Sequence, residues 1–366
     1  MKSLITFVTV TLLFLIVIAC KKTEEPLANR PPNGFNVNAT LQNDGKTVKL
    51  TWTKAKDPDN DVVTYTIFAQ DTLAKNLSDT TFILSNLDFN AILSGKIIAK
   101  DPKGLISEAS FTATTAQMIR IPDAVFEKYL IDKKIDSDGV VNGYLKPEDA
   151  LKTKKLELWN YKKTPINDLT GIEAFTNLES LNCRDNYLTS LDLSKNINLK
   201  ELICAVNSLT NLDVSNNIKL ETLMCTLNKL TSLNVSKNVN LVELGCDLNY
   251  SMTSLDVSKN INLKSLYCYS NSIANLDVSK NINLIILSCF GNNLTSLDVS
   301  KNLNLQSLFC YSNQLTNLDV SKNVNLKTLS CYSNAPLTTV CVADIIKAET
   351  NTSWKKEATT VYKICQ

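Results

Sequence analysis

The chain has 366 residues, 44% of them hydrophobic, and its 38 Lys and Arg against 36 Asp and Glu leave a net charge of +2. That length accommodates two or three domains, and the near balance of charge gives no electrostatic pull on nucleic acid. Histidine is absent, which excludes Ser-His-Asp and Cys-His triads and His-ligated zinc or haem, so no catalytic constellation, metal site or cofactor is expected.

At the N-terminus, Met1 and Lys2 precede an apolar run from Leu4 to Ile18, followed by Ala19, Cys20, Lys21 and Lys22. A positive start, an apolar stretch and a small residue before the cut make an export signal. The run is short for a membrane-spanning helix. The stretch V-I-A-C (17–20) resembles the lipobox of bacterial lipoproteins, which implies cleavage before Cys20 and lipidation of its sulfur and new amino group. Residues 1–19 are then the signal peptide. Residues 20–33, with Pro26, Pro31 and Pro32, read as an extended tether. The expected address is the bacterial cell envelope, as an outer-membrane lipoprotein exposed at the surface.

Residues 34–117 alternate apolar and polar in short runs, as strands of a half-buried sheet do: V-K-L-T-W (48–52), V-T-Y-T-I (63–67), T-F-I-L (81–84) and G-K-I-I-A-K (95–100). Their order resembles a fibronectin type III domain, with a related immunoglobulin-like sandwich as the alternative. Ser94 and Gly95 stand where that family carries an aromatic residue. Such a module implies a spacer. Asp57, Asp59 and Asp61 read as a solvated turn rather than a calcium site.

Residues 118–168 predict two short helices. The first has apolar residues at helical spacing behind Pro122 and Asp123, and the second starts at Pro147. Between them, D-S-D-G-V-V-N-G (136–143) is similar to an EF-hand loop. It departs from that pattern at Val140 and at Val141, which replaces the expected glycine. The segment is read as an N-terminal cap, because the first coil of a solenoid otherwise exposes its apolar end. The stretch I-P-D-A-x-F-E-K (121–128) also resembles the segment that precedes repeats in bacterial surface lipoproteins. The stretches L-E-L-W (156–159) and I-N-D-L (166–169) look like degenerate first coils.

Residues 169–339 repeat L-x-x-L-x-C-x-x-N-x-L-x-x-L-D-V-S-x-N-x-x. The cysteine recurs at Cys183, Cys204, Cys225, Cys246, Cys268, Cys289, Cys310 and Cys331, at steps of 21 with one step of 22. A fixed period of this length marks a solenoid whose coils contact their neighbours. Strand alternation puts Leu266 and Cys268 on one face and Ser265, Tyr267 and Tyr269 on the other. The leucines and cysteines are the stacked core, and the thiols are expected buried and free. The asparagine three residues after each cysteine, Asn186 to Asn334, is expected at the turn, bonding the adjacent coil. The stretch L-D-V (276–278) alternates too and suggests a second short strand. This pattern resembles the 21-residue bacterial class of leucine-rich repeats called IRREKO, which implies parallel strands and an interaction role. The fold class is therefore mainly β: a leucine-rich-repeat solenoid preceded by a β-sandwich and a small helical cap.

Residues 340–366 form the C-terminal cap. Cys341 and Cys365 are the only cysteines outside the lipobox and the ladder, and in an exported protein they are expected to form a disulfide.

The outward strand positions carry the functional reading. Tyr267, Tyr269, Phe290, Phe309, Tyr311 and Tyr332 fall in the last four repeats, while the first four lack aromatics there. Exposed aromatic clusters mark interaction surfaces. The expected function is a membrane-anchored, surface-exposed binding protein, acting as a monomer, that recognises a protein or a glycan through these six rings. The alternative is a passive structural component of the envelope. The recurring aspartates and lysines, such as Asp277 and Lys280, read as structural ladders and solvated charge.

Overall fold

The computed structural model describes residues 27–159 and 163–365. Cys20 and the lipobox lie outside them. The chain divides into two compact units, Met1–Ala116 and Gln117–Gln366.

The first unit consists of β1 (Val37–Leu41), β2 (Val48–Trp52), β3 (Thr64–Phe68), β4 (Thr72–Leu77), β5 (Thr81–Leu84), β6 (Ile92–Lys100) and β7 (Ile106–Thr114). They make two antiparallel sheets, ordered β1-β2-β5 and β4-β3-β6-β7. Alternation decides the inner faces: Val48, Leu50 and Trp52 share one core with Tyr65, Ile67, Ile97 and Ala99. The Tyr65 hydroxyl accepts the buried Ala55 N–H at 2.8 Å, so its polar end is satisfied. Phe111 explains the glycine at position 95. A Cβ there would strike the Phe111 ring and the Phe68 carbonyl oxygen, so no side chain fits. In the Asp57 turn, Asp57 accepts the N–H groups of Asp59 and Asp61, Arg30 pairs with Asp59 at 2.7 Å, and Lys103 lies 3.6 Å from Asp61.

The second unit opens with the cap: β8 (Ile119–Arg120), α1 (Ala124–Asp132), β9 (Tyr144–Leu145) and α2 (Pro147–Lys152). Asp123 caps α1 by accepting from Val125 N and Phe126 N. Its other oxygen accepts Asn167 N and Asp168 N, which ties the cap to the first coil. Phe126, Leu130 and Leu145 join the solenoid core and cover its end.

The coils follow through β10 (Lys155–Glu157), β11 (Ser180–Asn182), β12 (Glu201–Ile203), β13 (Thr222–Met224), β14 (Glu243–Gly245), β15 (Ser265–Tyr267), β16 (Ile286–Ser288), β17 (Ser307–Phe309), β18 (Leu318–Asp319), β19 (Thr328–Ser330), β20 (Thr339–Cys341), α3 (Ile345–Thr350), β21 (Trp354–Lys355) and β22 (Val361–Lys363). Ten of these strands form one parallel sheet, β10 to β17, then β19 and β21. The single step of 22 leaves this sheet in register, since Gly245 pairs with Tyr267. The second strand suggested by L-D-V is mostly not formed. Only Leu318–Asp319 is a strand there, pairing with β20, besides one bridge from Asn234 to Asp256. In paired and unpaired coils alike the aspartate carboxylate accepts the N–H two residues on, as Asp277 does from Ser279 and Asp319 from Ser321, each at 2.8 Å.

Two asparagine ladders hold the coils in register. In the first, Asn292 Nδ2 donates to the carbonyls of Cys268 and Cys289, both at 3.0 Å, while its oxygen accepts Ile273 N. The second comes from the S-x-N of each repeat. Asn281, fully buried, donates to Val257 O at 3.0 Å and Asn260 O at 2.9 Å. At the far end, β21 extends the large sheet. A Cys341–Cys365 disulfide holds the last segment to the final coil, with Cα atoms 5.5 Å apart.

Candidate functional site

The outer face of the parallel sheet is built from the residues flanking each core cysteine. The column after the cysteine runs Arg184, Ala205, Thr226, Asp247, Tyr269, Phe290, Tyr311, Tyr332. Parallel strands in register lie about 4.8 Å apart, close to the spacing of stacked rings. The four aromatics use that match. Ring centroids lie 4.3 Å apart from Tyr269 to Phe290, 4.3 Å from Phe290 to Tyr311 and 4.6 Å from Tyr311 to Tyr332, with planes within 10° of parallel. Both faces of Phe290 and of Tyr311 are therefore covered by neighbours, and their edges remain. All four side chains are half-buried.

The six rings do not form one cluster of equals. Tyr267 and Phe309 belong to the column before the cysteine, where Ser288 stands in register between them. Ser288 and Ser330 are buried in that column, and the two rings are half-buried and in separate coils. The sequence places all six outward. The period already sorts them into four after the cysteine and two before it, and the structure adds that the four stack face to face.

A carboxylate precedes the stack. Asp247 is 2% exposed and accepts the Thr226 hydroxyl at 3.0 Å, with the Tyr269 hydroxyl beside it. Burial pushes Asp247 upward from the ordinary carboxylate range. Burial, then the Asp247 contact, pushes Tyr269 up to about 12. Burial also raises Tyr311. Gly245, two residues before Asp247, lies against Met224: a Cβ there would lie 2.5 Å from its Sδ, so the Met224 side chain would have to shift. Sequence reasoning passed over Asp247, although its place at the head of the aromatic column was legible there.

The earlier coils present a mixed face instead, with Ile203 and Met224 among polar side chains. Glu179 lies between Lys200 at 2.8 Å and Lys154 at 2.9 Å, and these hydrogen bonds hold it down at about 2. Glu201 accepts the Ser180 hydroxyl at 2.7 Å. On another side of the coils runs a half-exposed aliphatic column, one residue per coil from Ile197 to Val324, which sequence reasoning also missed.

The eight ladder thiols are buried and free. Burial pushes Cys204 and Cys331 up to about 12 and the other six well upward, which keeps them neutral and unreactive.

The solenoid has the leucine-rich-repeat fold. A functional domain of InlJ from Listeria monocytogenes, described as including a cysteine ladder, superposes with a TM-score of 0.52 at 32% identity. The match covers 68% of this chain and 64% of that one, so the chain spans less than two thirds of the InlJ domain. The internalin inlF from Listeria monocytogenes str. 4b F2365 matches with a TM-score of 0.50 at 20% identity, over 67% of this chain and 78% of that one. The second likeness shows the fold alone. No family model matches the chain, and no curated relative does. Repeat folds of this kind suit a protein-binding role, since they present a broad surface rather than a deep pocket.

Proposed function

We propose that this chain is a lipid-anchored envelope protein that binds a protein partner through the aromatic columns of its parallel sheet. The anchor is Cys20, the place is the outer surface of the outer membrane, and the seven-stranded first unit, in fibronectin type III-like order, is the spacer. One observation carries the choice of partner. Phe290 and Tyr311 are sandwiched between rings on both sides, so their faces are not free to stack on a sugar. What remains is a comb of ring edges and tyrosine hydroxyls. Such a comb suits apolar side chains and backbone acceptors of a polypeptide, at little loss of side-chain freedom.

The passive reading keeps one observation in its favour. Stacked pairs contribute about 0.5–1.5 kcal/mol each to stability, so the column has a structural use of its own. A triple variant, Tyr269→Ala, Phe290→Ala and Tyr311→Ala, separates the two. Binding to a protein ligand found by screening should weaken by about 2 kcal/mol or more for a central ring. The melting temperature should fall only by what the lost stacking supplies. Unchanged affinity moves the site elsewhere, and loss of the fold favours the passive reading.

A further inference from the structure

The loop between α1 and α2 encloses more buried negative charge than its surroundings compensate. Glu127, Asp136 and Asp149 are 1%, 3% and 5% exposed. Glu127 is satisfied: one oxygen accepts Asn142 N and Gly143 N at 2.8 Å and Tyr144 N at 3.2 Å. Asp149 accepts Ser137 N at 3.1 Å and lies 3.8 Å from Lys152 Nζ. Asp138 accepts Val140 N and Asn142 Nδ2, each at 2.8 Å.

Asp136 is different. Its Oδ1 accepts Asp138 N at 3.2 Å, and its Oδ2 is buried without a hydrogen-bond partner. The neighbouring carboxylate is Asp138, and burial together with that like charge pushes Asp136 up to about 6. The nearby cation does not answer it, since Lys146 Nζ reaches the Ser137 hydroxyl at 3.2 Å. An unpaired buried carboxylate is costly, and the usual remedies are a paired charge or a metal ion.

We infer that this loop binds one calcium ion, through Asp136 Oδ2, a carboxylate oxygen of Asp138, and amide or main-chain oxygens of the 136–142 segment. The donors are all oxygen and the loop is irregular, which suits the flexible six- to eight-fold shell of Ca²⁺ better than the strict octahedron of Mg²⁺. The site is not an EF-hand, because Val140 and Val141 occupy two of that motif's positions. Among the described residues no three His, Cys, Asp or Glu side chains converge on one point. Two carboxylates completed by neutral oxygens and water make a weak site, with a dissociation constant of about 0.1–1 mM, as in extracellular modules. The bound ion would steady the loop that Glu127 holds and so tighten the cap on the first coil. None of this depends on the aromatic face.

The test is equilibrium dialysis of the whole chain with radioactive Ca²⁺ at neutral pH, together with melting in CaCl₂, MgCl₂ or EDTA. One Ca²⁺ should bind per chain, with half-saturation near about 0.1–1 mM. A tenfold excess of Ca²⁺ over that value should raise the cap's melting temperature by roughly 3 °C or more, and the same Mg²⁺ should raise it less. Asp136→Asn should lower the affinity at least about tenfold, yet melt in EDTA no lower than the parent, because it removes an unpaired buried charge. Asp138→Asn, at a more exposed position, should also weaken binding and serves if the first variant misfolds. Asp79→Asn, at an exposed position in the other unit, should leave Ca²⁺ binding and melting unchanged. Absence of saturable Ca²⁺ binding in the parent chain, or binding undiminished in both loop variants, overturns the inference.

Discussion

At the scale of single residues, the turn before each ladder asparagine is where the backbone is strained. Asp185, Val206, Leu227, Leu248, Ser270, Ser312 and Ser333 all have φ between 52° and 60°, and Gly291 has φ 63° at the same point. A left-handed conformation costs a non-glycine residue about 1–2 kcal/mol, and a β-branched one is an outlier there. The asparagine's bonds to two coils hold the turn in place regardless. Val206→Gly should therefore leave stability unchanged or raise it by up to about 1 kcal/mol, the relief exceeding glycine's entropic penalty. Gly291→Val should lower it by about 1–2 kcal/mol, since its Cβ would also lie 3.3 Å from Ser270 Oγ. Urea unfolding of both variants gives the answer, and a destabilised Val206→Gly would show that the turn is not strained.

At the scale of elements, the cysteine column makes the solenoid sensitive to alkali. The thiols ionise near 9.0 when unfolded, whereas burial lifts Cys204 and Cys331 to about 12 and the rest upward too. A group whose folded value is raised stabilises fully below its unfolded value, and that stability is lost as pH rises between the two. Each buried thiol then subtracts about 1.4 kcal/mol per pH unit above 9. Eight of them should make the melting temperature flat up to about pH 9 and steeply falling beyond it. A thiol reagent at mildly alkaline pH should label none of the eight in the native chain and all eight in denaturant. A melting temperature that holds well above pH 10 would mean that the thiols reach solvent when folded.

At the scale of the whole molecule, the two described units carry separate cores, and the proposed lipid anchor at Cys20 would decide where they are held. Cys20→Ala should leave the protein unprocessed or release it from membranes, because stable anchoring needs the added acyl chains. Detergent partition and cell fractionation read this directly. Mature protein of unchanged hydrophobicity from the variant would rule out the lipid anchor.

The coil period, the core of Leu and Cys, the asparagine ladder and the helix start at Asp123 were legible in the chain, because each follows from local spacing: strand alternation, a repeat length, a cap before an apolar run. The S-x-N ladder is equally periodic, and its cross-coil bonds follow from the inward turn of each asparagine. Other features exist only once coils are set side by side. The period aligns Tyr269 with Phe290, but the packing of the coils decides that their rings lie face to face, with centroids 4.3 Å apart, and that Ser288 is buried between Tyr267 and Phe309. The packing of one loop onto two short helices decides that Asp136 is buried and Asp138 is not. Burial depends on what lies across the fold from a residue, and that neighbour is not its neighbour in sequence.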